Sequence, residues 1–179
     1  MKMSVSLMVT TTSLASLAVL LDVIALSTTS WLTTSRMMLG ITIVTTSGLF
    51  QECRMSKCHT LVFSDGRGRA EDLAAASLIL PLFILGVGIF FVIGNEFRNV
   101  NHGFTGGVLF STAGLFGLIG VSVYSGLKKQ VFVPGHTSSF GYSFVLACGF
   151  VVLCLLSSML AFIGMTRPDT NAVRLRILT

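Results

Sequence analysis

The chain has 179 residues, 53% of them hydrophobic and only 11% charged, and its mean hydropathy is +0.86. These values exclude an ordinary water-soluble globular domain. The formal net charge of +5 does not point to nucleic acid, because the basic residues fall singly among loops and tails and form no stripe that could follow a phosphate backbone.

Four apolar runs follow in chain order, at 7–28, 73–94, 104–127 and 140–165. A helix rising about 1.5 Å per residue needs about 20 residues to cross a hydrocarbon core of roughly 30 Å, so each run predicts one span with modest tilt. The first run follows Lys2 and has a cleaved signal peptide as its alternative. It is longer than an apolar signal core and lacks a clear small-x-small cleavage site, which favours a span. The chain, 1–179, then forms a single tetraspan domain.

Four spans place the segments 30–72 and 128–139 on one side of the membrane, and the termini with the short segment 95–103 on the other. The distribution of Lys and Arg does not orient the chain. Lys2, Arg98, Arg167, Arg174 and Arg176 fall on one side, and Arg36, Arg54, Lys57, Arg67, Arg69, Lys128 and Lys129 on the other. The cysteines do orient it. Cys53 and Cys58 lie in the long segment, in polar, hairpin-like surroundings that suit a disulfide formed in the secretory pathway. That makes 30–72 and 128–139 extracellular loops and leaves both termini, with the tail 166–179, cytoplasmic.

Within the first loop, the stretch from Trp31 to Phe50 is rich in Thr, Ile, Val and Leu, and Ile41 and Ile43 alternate with Thr42 and Val44. This pattern predicts strands and a small extracellular sheet. Asp65, Gly66, Arg67 and Gly68 form a turn cluster, after which Glu71 and Asp72 sit where a helix dipole favours anions. The Cys53 to Cys58 spacing can join two neighbouring strands across a tight loop, with a chain-entropy gain of about 2 kcal/mol. Two free thiols are one alternative. A metal site using Cys53, Cys58 and His59 is another, but His102 falls on the opposite side and no fourth ligand is evident.

Asp22 lies inside the first span, about 13 Å along a helix axis from Trp31, where an ionised carboxylate costs roughly 3 kcal/mol. It is either a member of an ion or proton path or a bundle-facing acid hydrogen-bonded to a neighbouring helix. Gly114, Gly117 and Gly120 recur every three residues along the third span, a spacing that serves close packing within the bundle or a dimer face. Lys128, Lys129 and Phe132, where the third span leaves the membrane, are candidates for contact with lipid or a partner.

Trp31 by itself is an interfacial anchor. Taken with Gly48, Leu49 and Phe50, then Cys53 and Cys58, it resembles the W, G-L-W, C, C signature in the first extracellular loop of the claudin superfamily. Arg69 and Ala70 at the entry to the second span, Tyr124 in the third, and Phe140, Gly141, Tyr142, Ser143 and Phe144 opening the fourth also look like that superfamily. The close cysteines and short tail look most like its peripheral myelin protein, epithelial membrane protein and lens fibre membrane protein branch. Two positions depart from the pattern. Phe50 stands where the second tryptophan is usual, and the chain ends Arg176, Ile177, Leu178, Thr179 without the aromatic-valine tail of junctional claudins. No Asn-x-Ser/Thr sequon is present either. The implied fold class is an all-α four-helix transmembrane bundle bearing a small extracellular antiparallel β-sheet.

The resemblance implies a non-enzymatic plasma-membrane protein acting in cell contact, adhesion or membrane organisation through its loops. Its expected partners are membrane lipids and either further copies or another membrane protein. One alternative is an auxiliary subunit of a channel or receptor, with Asp22 and the glycines facing the partner. The other is a paracellular barrier or pore lined by Arg36, Glu52 and Asp65. No nucleophile with base and orienting group falls on one side of the membrane, so neither catalysis nor a cofactor is expected.

Overall fold

The computed structural model describes residues 5–38, 41–54, 57–60, 69–98, 103–129 and 136–166. Four helices run through it: α1 (Val5–Ser27), α2 (Arg69–Arg98), α3 (Gly103–Lys129) and α4 (Tyr142–Thr166). Each contains a stretch of 22 to 24 residues long and apolar enough to cross a membrane. α2 packs along α3, α4 packs against both α1 and α3, and α1 closes the ring more lightly against α2.

Small residues set how closely the helices approach. On α1 the buried positions are Thr11, Ala15, Ala18, Asp22 and Ala25, a four-three spacing that keeps one narrow seam turned inward. In lipid, where burying apolar surface against another helix gives little drive, such seams hold by close dispersion contact. Leu78, Leu85, Val92, Phe110 and Phe150 fill the space between the other helices. Phe83 and Phe90 point outward from α2, where the solvent is hydrocarbon. Pro81 is buried in the middle of α2. A proline there costs one backbone hydrogen bond, which a packed transmembrane helix tolerates.

At one end of the bundle stands a five-stranded antiparallel sheet, in the order β4-β3-β2-β1-β5. Its strands are β1 (Leu32–Met38), β2 (Ile41–Ser47), β3 (Gln51–Arg54), β4 (Lys57–Thr60) and β5 (His136–Phe140). β1 and β2 pair from Leu32↔Ser47 to Met38↔Ile41, which brings the Thr- and Ile-rich stretch into one hairpin. β5 corrects the sequence-based expectation, which placed Phe140 in the fourth span. His136–Phe140 is instead a strand on the open edge of β1, with Leu32 opposite Phe140 and Arg36 opposite His136, and α4 starts at Tyr142. A run of Thr137, Ser138 and Ser139 has little helix preference, and the unpaired edge of β1 gives its backbone a ladder. The segments before α2 and before α4 therefore contribute to one sheet.

Candidate functional site

The sheet is mounted on the bundle by an aromatic cluster. Trp31 is completely buried, and its ring meets Tyr124 of α3 edge-on at 5.0 Å and Phe144 of α4 at 6.3 Å. Phe144 in turn stacks on Phe140 at 4.4 Å. The cluster thus joins β1, β5, α3 and α4. The Trp31 indole nitrogen donates to the Ala25 carbonyl at 2.7 Å, so the one polar atom of the ring is satisfied inside the core.

Backbone bonds complete the attachment. Trp31 N donates to Ser47 O, Gly141 N to Trp31 O and Ser143 N to Ser30 O, at 3.2, 3.0 and 3.2 Å. The Thr28 and Ser143 hydroxyls bond each other at 2.6 Å. Gly141 allows this approach, because a Cβ there would run into the Ser30 carbonyl. Gly48, Leu49 and Phe50 form the connection from β2 to β3. Gly48 donates to Gln51 O at 2.8 Å, and a Cβ on it would lie 2.9 Å from Thr29 Cα. Leu49 is buried and Phe50 packs against the core from its edge. A crevice of about 150 Å³ lies between this turn and the end of α1, lined by Leu26, Ser27, Thr28, Thr29, Phe50 and Gln51.

Cys53 and Cys58 face each other in the β3–β4 ladder and are bonded. Arg54 and Lys57 are the last described pair of this ladder. Both thiols are consumed, which removes Cys53, Cys58 and His59 as a metal set. Among the described residues no three His, Cys, Asp or Glu side chains come together.

Asp22 is fully buried on α1, and neither carboxylate oxygen has a hydrogen-bond partner. The glycines do not form a single stripe. A Cβ on Gly114 would touch Cys154 and Leu155 of α4, one on Gly117 would touch Phe150 and Val151 of α4, and one on Gly120 would touch Leu78 and Ser77 of α2. All three therefore pack within the bundle, and with Asp22 they offer no outward face to a partner helix. Arg69 opens α2 and Lys128 and Lys129 close α3; their side chains, together with Phe132 and Asp65, lie outside the described residues.

Sequence reasoning missed β5 and the contact between Gly141 and Ser30. The available signal was a glycine directly after Thr137, Ser138, Ser139 and Phe140, where a strand must end before a helix can begin.

A comparison with curated proteins returned no match. The model of the PMP-22/EMP/MP20/Claudin family matches residues 3–161, nearly the full length of the four-helix and sheet arrangement, and the chain belongs to that family of tetraspan membrane proteins.

Proposed function

We propose that this protein works by contact and not by chemistry, presenting its sheet outside the cell to a neighbouring membrane or to neighbouring molecules in a region of cell contact. The observation that carries this is the mounting of the sheet. Trp31, Tyr124 and Phe144 lock its base to the helices, while all four residues of β4 are exposed at the far edge. A surface held rigidly at one end and open at the other loses little freedom on binding.

The Cys53–Cys58 bond supports the orientation, since such bonds persist in oxidising compartments. The sheet then lies outside the plasma membrane and both termini inside. Family membership supports a junction-related role of this kind. Lys128, Lys129 and Phe132, in and after the last turn of α3 in sequence, are candidates for a second contact with lipid or a partner.

The test is clustering of liposomes carrying the purified protein, with and without reductant and beside Cys53→Ser. Clustering that needs the intact bond supports adhesion through the sheet. Folded protein that never clusters its vesicles rejects adhesion between membranes.

A further inference from the structure

The strand register sorts every described charge on the sheet onto one face. Directly opposite residues share a face, and neighbours along a strand alternate. Leu32, Ser47, Glu52 and His59 form one row. Two residues further along their strands, Thr34, Thr45, Arg54 and Lys57 form the next row on that face, and Arg36 with Ile43 the one after. The intervening rows contain Thr33, Thr46, Cys53 and Cys58, then Ser35 and Val44, then Met37 and Thr42, with no charge among them. The Ser35 and Thr137 hydroxyls, bonded at 2.6 Å across β1 and β5, confirm the alternation.

On the charged face Arg36, Arg54 and Lys57 are exposed cations. Glu52 is the one acid among its described residues and lies opposite His59. Arg54 and Lys57 face each other directly, a like-charge arrangement that weakens a hairpin. Arg54 is two strands and two residues from Arg36, roughly 12 Å by sheet spacings, and Lys57 is one strand further. Thr45 and Ile43 of β2 lie between Arg54 and Arg36, and Thr34 lies on the same face beside Arg36.

We propose that this face binds a linear sulfated polysaccharide. The chemistry is complementary in two respects. The cations are arranged as separated anion-binding points and not as one dense patch, and Thr34 and Thr45 on the same face present hydroxyl groups that donate to and accept from sugar hydroxyls. A phosphate-covered lipid surface would also match the cations, but the line of Thr34, Thr45, Arg54 and Lys57 across four strands fits a linear chain, which a flat bilayer does not provide. The proposal rests on the sheet lying outside the cell, where such polymers are found.

The experiment uses the full chain in nanodiscs of neutral lipid and measures binding to a heparin oligosaccharide across a salt series. Binding that weakens steeply with salt, and about tenfold in Arg54→Gln/Lys57→Gln, is the expected result. Arg36→Gln, on another strand, should lose about threefold, and Met37→Gln on the uncharged face should lose nothing. Desulfated oligosaccharide of the same length should not bind. Equal binding by wild type and the charge variants, or by sulfated and desulfated probes, overturns the proposal. Binding to phosphatidylserine vesicles with none to heparin also overturns it, in favour of a lipid surface. Mass analysis of the alkylated protein, showing the Cys53–Cys58 bond intact in each variant, ensures that a loss of binding is read from a formed hairpin. The readout needs no vesicle clustering, so failure of adhesion and failure of glycan binding remain distinguishable.

Discussion

The indole nitrogen of Trp31 reaches back six residues to the carbonyl of Ala25, inside the last turn of α1, at 2.7 Å. The last four carbonyls of a helix have no partner within it, so Trp31 both caps α1 and anchors the sheet that follows. Trp31→Phe keeps an aromatic ring but leaves the Ala25 carbonyl with only the long 3.3 Å bond from Thr28. The expected loss is about 1–2 kcal/mol, and Trp31→Leu, which also loses the contacts to Tyr124 and Phe144, should lose about 3 kcal/mol or more. Thermal melting in detergent checks both, and a Phe variant as stable as wild type would show that the bond contributes nothing.

The glycines differ in what an added methyl would meet. At Gly141 it would strike the Ser30 backbone, which cannot move without breaking the bonds that join β1 to α4. Gly141→Ala should therefore cost about 2–3 kcal/mol and reduce the yield of folded protein. Gly86, on α2, has nothing within 4 Å of the same position. Gly86→Ala should be neutral or stabilising by up to about 1 kcal/mol through helix preference alone. Equal melting temperatures for the two variants would contradict the packing described at Gly141.

The four spans, the strands around Ile41 and Ile43 and the cysteine pair are legible in the sequence because each depends on local chemistry: run length, alternation and spacing. β5 is not, because its pairing partner is about a hundred residues away and its own residues carry only a weak strand signal. The glycines of α3 show the same limit. Their three-residue spacing announces close packing, but which helix each one meets depends on how α2 and α4 are arranged, and that divides Gly114 and Gly117 from Gly120. Both oxygens of Asp22 lacking a partner is likewise a property of the assembled bundle.

Reducing the disulfide should act locally. The ring it closes is short, so Cys53→Ser is expected to cost about 2 kcal/mol. Within the described sheet β3 and β4 are hydrogen-bonded to the other strands through β2, whereas the core cluster around Trp31 lies at the other side of that strand. The loss should therefore show as faster proteolysis near residues 54–57 with little change in the melting of the helices. A large fall in bundle melting temperature would mean that β3 and β4 support the helices, contrary to this division.

Asp22 offers the sharpest test of the bundle interior. Its neighbours along the α1 seam are Ala18 and Ala25, and its carboxylate is buried without a hydrogen-bond partner. A carboxylate in that position contributes no bond to offset the cost of removing it from water. Asp22→Asn preserves its size almost unchanged and cannot carry charge, so the variant should melt at the same temperature or higher, with a gain of up to about 2 kcal/mol. Asp22→Ala continues the small-residue seam but leaves a gap where the carboxyl group was, and should fall below Asp22→Asn. A marked loss of stability in Asp22→Asn would reverse the argument, since it would show that the carboxyl group takes part in a contact that its amide cannot replace. Melting curves of the three proteins in the same detergent decide between these outcomes.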